Sequence, residues 1–314
     1  MKIMDKRFIS AGALIMVVLL GLFFIKSFKN QTNSSQNTKK LQITTSFYPL
    51  FFFTSQIVGG KGDVQNITPS GAEPHDYEPT AQDIARIERA NLLILNGGVE
   101  AWGDKIKDNL KGTNTQIVVA GETLLSRDLT ENGQTAKDPH VWLDPTLAKK
   151  EVEKITQAID QADPNNKSFY DQNTKNLEDK LDQLDNEYKS GLSDCGSKDI
   201  ITSHAAFGYL AQRYGLNQVS IAGLSPDEEP SAQALADVAN FAKEHNVKYI
   251  FFEKLVSPKL SETIANEIGA KTLVLDPLEG LSDDDIKNGK DYFSVMRDNL
   301  ANLQTALQCK TTKQ

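Results

Sequence analysis

From Leu41 onward, short β-branched runs alternate with longer stretches of helical spacing. The runs LQITTSF, DVQNIT, NLLILNG and TQIVVA come first, and KDIITSH, LNQVSIAG, VKYIFFE and KTLVLDP follow after Cys195. Between Thr80 and Ala90, Ile84 and Ile87 recur at turn spacing, and Thr80 with Asp83 forms a capping-box pattern. Ser231–Glu244 and Pro258–Ile268 read as further helices. Strand–helix alternation folds as a parallel sheet covered by helices. The pattern therefore predicts an α/β protein of two similar lobes, each with a four-stranded, mainly parallel sheet.

The region between the two sets of strands is helical throughout. Asp144 and Pro145 form an N-cap and first-turn pair, and Asp163 with Pro164 opens the next helix. From there Tyr170, Leu177, Leu181, Leu184, Tyr188 and Leu192 make one apolar stripe on a continuous helix, Pro164–Leu192. Such a helix is roughly 40 Å long and joins the lobes as a stiff backbone. The expected domains are a first lobe over 41–162, a connecting helix over 163–194 and a second lobe over 195–314.

Residues 1–40 have a different texture. Phe8–Ile25 is an uncharged apolar run flanked by Lys6, Arg7 and Lys26, long enough to span a membrane at the lower limit. No small-x-small cleavage site follows it and no cysteine lies near it for lipid attachment. It reads as an uncleaved signal-anchor, with a cleaved signal peptide as the alternative, and either places the remainder outside the cytoplasm. Ser27–Lys40 is polar and reads as a flexible tether.

The formal charge of −8 argues against nucleic acid and anionic membrane surfaces as partners and suits a protein that attracts cations. The two cysteines, Cys195 and Cys309, suggest one disulfide in an oxidising compartment, with two buried free thiols as the alternative. Neither has a second cysteine or a histidine near enough in sequence to suggest a thiolate metal site.

Chemistry concentrates in the histidines. His75 sits in GAEPHDYEPT after the second strand, His140 in the proline-braced DPHVWLDP, and His204 at the end of KDIITSH. Asp276 closes TLVLD just before Pro277. Ligands of open α/β folds bind at the carboxyl ends of the strands, and three imidazoles with one carboxylate suit tetrahedral zinc better than magnesium or calcium. With two such residues in each half, the metal would lie in the cleft between the lobes. Pro74 and Pro79 lower the backbone entropy around His75 and hold that ligand in place. His245, beside Lys243 and Glu244 at a helix end, is set aside as a solvated C-terminal histidine.

The segments TTSFYPL, GAEPHDYEPT, NGGVEAW, DPHVWLDP, TSHAAFGYLAQRYGL, GLSPDEEPSAQ and LVLDPLEG resemble the metal-binding solute receptors of ABC importers, the cluster 9 or A-I family. That family holds zinc receptors and the manganese-binding adhesin lipoproteins, and the likeness runs from Leu41 to Cys309. It implies two α/β lobes on a backbone helix, with a metal bound by His75, His140, His204 and Asp276. Manganese receptors carry glutamate at the third position, so His204 implies the zinc branch. The implied role is capture of Zn2+ as cargo for the membrane subunits of a permease, by a monomer tethered at the cell membrane; a manganese receptor with an adhesin role is the alternative. Two features depart from the family. Gly121–Lys137 lacks the histidine-rich loop of many zinc-type members, and no lipid-anchor cysteine is present. A zinc hydrolase is the competing class. Its nearest candidate bases are Glu73, Asp76 and Glu253, but a fourth protein ligand fills the position that a catalytic water needs. No G-x-S-x-G, H-E-x-x-H or P-loop motif occurs. Otherwise Glu73 and Asp76 add negative potential to a loop, and Glu253 supports a ligand from behind.

Overall fold

A computed structural model describes residues 40–131 and 134–310. The expected anchor Phe8–Ile25 and nearly all of the tether lie outside them. No helix among the described residues is long and apolar enough to cross a membrane.

The first sheet consists of β1 (Leu41–Thr45), β2 (Gly62–Asn66), β3 (Leu92–Leu95) and β4 (Gln116–Val119), in the order β2-β1-β3-β4. The second consists of β7 (Asp199–Thr202), β8 (Asn217–Ser220), β9 (Tyr249–Phe252) and β10 (Lys271–Val274), in the order β10-β9-β7-β8. All pairings within both sheets are parallel. All eight strands fall on the runs singled out in the sequence. The central β3 is buried along its whole length, as its unbroken LLIL requires when helices cover both faces.

Helices connect the strands: α1 (Tyr48–Val58), α2 (Ala81–Ile87) and α3 (Gly103–Asn109) in the first lobe, and α6 (Gly208–Tyr214), α7 (Ala232–Glu244) and α8 (Lys259–Ile268) in the second, where the short α9 (Asp283–Lys287) follows the last strand. The Thr80–Asp83 capping box forms on α2, which stops at Ile87 rather than Ala90. Helix α1 departs from the sequence pattern. Its YPLFFFTSQIV run is rich in aromatic strand formers, yet seven of its residues are buried and Pro49 lies in its first turn. Tertiary burial overrides propensity there.

Between the sheets run α4 (Pro145–Ala162), capped by Asp144, and α5 (Lys167–Gly191). The long helix begins three residues later than the sequence suggests, because Pro164–Asn166 winds as a 3-10 turn. Asp163 anchors that turn by accepting from Asn166 Nδ2 and the Tyr170 hydroxyl, both at 2.7 Å. At 25 residues α5 is about 37 Å long. It packs on α1, α4 and the C-terminal α10 (Tyr292–Ala306) through Tyr170, Leu177, Leu181, Leu184 and Tyr188. The same apolar cluster continues from the first sheet into the second. Phe52 stacks on Tyr292 at 5.8 Å, Phe53 meets the same ring edge-on at 4.9 Å, and the Tyr292 hydroxyl donates to the Trp142 carbonyl at 2.6 Å. The lobes therefore share a core rather than swinging on flexible strands.

Gly121–Lys137 also has structure of its own. Its second half is an antiparallel hairpin, β5 (Asp128–Glu131) with β6 (Gln134–Lys137). The Tyr209 hydroxyl of α6 accepts from the backbone N–H groups of Ser126 and Arg127 at 2.9 and 3.1 Å, tying the hairpin base to the second lobe.

A disulfide joins Cys195 to Cys309 across a sequence separation of 114 residues. Closing so long a loop restricts the unfolded chain strongly. A Cys195→Ser/Cys309→Ser variant should lose roughly 2–5 kcal/mol of stability in denaturant titration; an unchanged midpoint would show that the bridge adds nothing.

Candidate metal centre

The carboxyl ends of both sheets face one small buried space. His204 lies two residues beyond β7, Glu253 follows β9 directly, and Glu279 follows the turn after β10. His75 comes from the proline-flanked loop after β2, and His140 from the segment that follows the hairpin. His140, His204 and Glu279 are fully buried, while His75 is half-buried at the edge of the space.

The four side chains converge. The Nε2 atoms of His75 and His140 are 3.3 Å apart, and those of His140 and His204 3.4 Å. Glu279 Oε1 lies 3.3 Å from His75 Nε2, 3.2 Å from His140 Nε2 and 3.4 Å from His204 Nε2. Ligands at roughly 2.0–2.1 Å from a tetrahedral zinc are separated by about 3.3–3.4 Å. Five of the six donor–donor separations thus match the edges of a tetrahedral zinc shell, and all the potential ligand atoms lie within 4.8 Å of one another.

Each buried imidazole is oriented from behind. The Nδ1 of His140 is 2.9 Å from Asp138 Oδ1, which also accepts the His140 backbone N–H at 3.0 Å. The Nδ1 of His204 is 2.7 Å from Glu253 Oε1, and Ser203 donates to the same oxygen. A carboxylate on Nδ1 fixes the tautomer that presents Nε2 to a metal. Glu253→Gln should thus lower metal affinity by roughly 10–100-fold. Competition titration against a chromophoric chelator measures this, and unchanged affinity would remove Glu253 from the account.

Electrostatics follow from the same contacts. Burial by itself pulls the His204 imidazole down, but Glu253 and Glu279 outweigh it and hold it well above the usual histidine range. His140 is likewise raised against burial, by Asp138 and Glu279. Burial alone would push the Glu279 carboxyl up, yet His204, His140 and His75 keep it well below the usual range. Glu73 accepts the His75 backbone N–H at 3.1 Å, and burial together with the Glu279 charge pushes its carboxyl up to about 9. Asp76 is also raised, chiefly by the neighbouring Asp227 carboxyl group.

The sequence reading differs from this arrangement in its fourth ligand. The structure does not bring Asp276 into the cluster with the imidazoles. Its Oδ1 accepts the Leu278 N–H at 2.8 Å, and its Oδ2 faces Lys254 Nζ at 3.9 Å. Glu279 stands beside the imidazoles instead, because the chain turns at Leu278 with φ of 60°. Leucine gives no sequence signal for that conformation, which non-glycine residues seldom adopt. The LVLDPLEG segment contains Glu279, but strand-end logic favours the first carboxylate after the strand. His245 is remote from the site, 2.8 Å from Asp199 at the end of α7.

The profile of the family described as ZnuA, zinc-uptake complex component A, periplasmic, matches residues 43–306. The chain is 42% identical to the high-affinity zinc uptake system protein ZnuA of Bacillus subtilis (strain 168), over 97% of this chain and 98% of that protein. Streptococcal zinc-binding proteins named AdcA are longer, and the chain spans 60% of their length. Among solved structures, the Zn(II)-bound ZnuA-like domain of Streptococcus pneumoniae AdcA has a TM-score of 0.74 and 40% identity, covering 85% of this chain and 99% of that one. The laminin binding protein Lmb of Streptococcus agalactiae, described as bifunctional with adhesin and metal transporting activity, has a TM-score of 0.77 and 34% identity, covering 85% and 99%.

Proposed function

The chain belongs to the periplasmic zinc-uptake component A family, and from that premise we propose that it captures Zn2+ between its lobes and hands it to an ABC permease for import. The proposed ligands are His75, His140, His204 and Glu279. The observation that carries this reading is the convergence of the four side chains, with five of their six donor separations at 3.2–3.4 Å, the edge length of a tetrahedral zinc shell. The Oε2 of Glu279 supports it, being buried with no hydrogen-bond partner among the described residues. Three imidazoles with one carboxylate favour zinc over manganese.

Four protein donors complete a zinc shell and leave no position for an attacking water, so the site is read as a receptor rather than a hydrolase. His75, the most exposed of the four with its side chain at 9%, is read as the side from which the ion enters and leaves. The shared core and the continuous α5 favour release through small displacements of the lobes, driven by the permease. The apolar run Phe8–Ile25 supports a membrane anchor that holds the receptor outside the cytoplasm. We read the working unit as a monomer.

A metal competition titration tests the assignment. Residues 41–314 are stripped with chelator and titrated with zinc and manganese, beside a His204→Glu variant. One tightly bound zinc that manganese does not displace, with that preference weakened in the variant, is the expected result. Equal or better manganese binding would overturn the zinc assignment. The likeness to Lmb supports an adhesin role as a second reading, and laminin binding that persists in a His75→Ala protein would establish it as independent of metal.

A further inference from the structure

We propose that Asp276 is a positioning residue that holds Glu279 against the metal, without touching the metal itself. The inference rests on the receptor reading above. It begins where β10 ends. Leu275 N–H still donates to the Phe252 carbonyl at 3.0 Å, continuing the sheet by one bond. Asn299 of α10 then brackets the next residue. Its Oδ1 accepts the Asp276 N–H at 2.9 Å, and its Nδ2 donates to the Asp276 carbonyl at 2.7 Å. The Asp276 backbone is thereby fixed to a helix, and the side chain is buried at 6% exposure.

From that fixed point the carboxylate reaches forward two residues, its Oδ1 accepting the Leu278 N–H at 2.8 Å. This is an aspartate side chain closing a local turn over its own backbone. Leu278 is the residue with φ of 60°, and it is wholly buried. An unfavoured backbone conformation persists only when its surroundings over-determine it. Here the determinants are the packed leucine side chain, the Asp276 hydrogen bond, and the Trp142 indole, which donates to the Pro277 carbonyl at 2.8 Å. Glu279 comes next and delivers Oε1 to the three imidazoles. Without the Asp276 carboxylate, a buried Leu278 N–H loses its acceptor. The turn then relaxes and withdraws Glu279.

This explains why a strand-end aspartate is buried so close to the site while its carboxylate serves the turn. It also separates two demands on residue 276. A metal ligand at this position needs the negative charge. A positioning residue needs only an oxygen at Oδ1, which asparagine supplies.

The experiment measures zinc affinity by chelator competition in the wild-type protein, Asp276→Ala, Asp276→Asn, Glu279→Gln and the Asp276→Ala/Glu279→Gln double variant. Visible absorption of the cobalt-loaded proteins reports the ligand set. Asp276→Ala should weaken zinc by roughly 10–100-fold, the range for groups that orient a ligand, while Asp276→Asn retains most of the affinity. In the Glu279→Gln background the alanine change should add no more than about twofold, because the two residues act as one unit. The cobalt spectrum of Asp276→Ala should move toward that of Glu279→Gln. If Asp276→Ala misfolds by far-ultraviolet circular dichroism, Asp276→Glu replaces it. Glutamate keeps the charge but overreaches the Leu278 N–H, so it should weaken zinc where asparagine does not. An equal alanine cost in both backgrounds would overturn the proposal. So would an asparagine variant as weak as alanine beside a Glu279→Gln protein of full affinity, since Asp276 would then be the ligand. A wild-type protein that binds no zinc would instead overturn the receptor reading.

Discussion

Zinc affinity should fall by more than about 100-fold when Glu279 is replaced by glutamine, and further when His140 is replaced by alanine. The floor comes from comparison with groups that merely orient a ligand, whose loss typically costs 10–100-fold. Glu279 does more. Its Oε1 is within 3.4 Å of all three imidazole Nε2 atoms, and its charge is held ionised in a fully buried space. Glutamine preserves the volume but removes that charge, so the site must desolvate a dication against neutral ligands alone. His140 is wholly buried between Asp138 and the cluster. Alanine there deletes a donor and leaves Asp138 without its imidazole partner. Chelator competition gives both affinities, and circular dichroism confirms that the variants are folded. A Glu279→Gln protein within tenfold of wild type would remove Glu279 from the ligand set.

Acidification should release zinc steeply, from a pH above the ordinary histidine value. The directions of the shifts fix the sign. In the metal-free folded protein His204 stands well above its usual range and His140 is raised as well. Their imidazolium–carboxylate pairing stabilises the metal-free fold fully below about pH 6.5, the unfolded-chain value, and that contribution is lost as pH rises through the raised folded values. Zinc binds only neutral imidazole, so across this window it must displace both protons. Affinity should then climb by up to about two decades per pH unit and level off once both groups are neutral. Zinc titrations at pH 6, 7 and 8 read the slope, and the thermal shift on adding zinc should grow over the same interval. Affinity independent of pH in this range would contradict the assignment of these two ligands.

The elements legible in the sequence share one physical property: they are set by local pattern. The eight strands are short β-branched runs between helical stretches, and the Thr80–Asp83 and Asp144–Pro145 helix starts are local hydrogen-bond chemistry. The stripe on α5 is a periodicity. His75 and His140 sit among prolines and His204 at a strand end, which is why three of the four converging side chains were legible. The parts that were not legible depend on tertiary structure. Helix α1 is made of residues that favour strands and is helical because of what it packs against. The β5–β6 hairpin in a polar stretch is tied down at its base by Tyr209 of the opposite lobe. The placement of Glu279, rather than Asp276, beside the imidazoles turns on a single left-handed leucine whose conformation is held by contacts from Asp276, Trp142 and the surrounding core. No pattern in LVLDPLEG announces that turn.

The central claim is that three imidazoles and the Glu279 carboxylate enclose one zinc ion at the junction of the two sheets. X-ray absorption at the zinc edge, on the loaded wild-type protein and on Glu279→Gln, tests it most directly. The account predicts a four-coordinate ion in the wild type, with imidazole scattering and an average nitrogen or oxygen distance of about 2.0–2.1 Å, and an altered shell in the variant. Six-coordinate zinc, or a shell that is the same in both proteins, would contradict it.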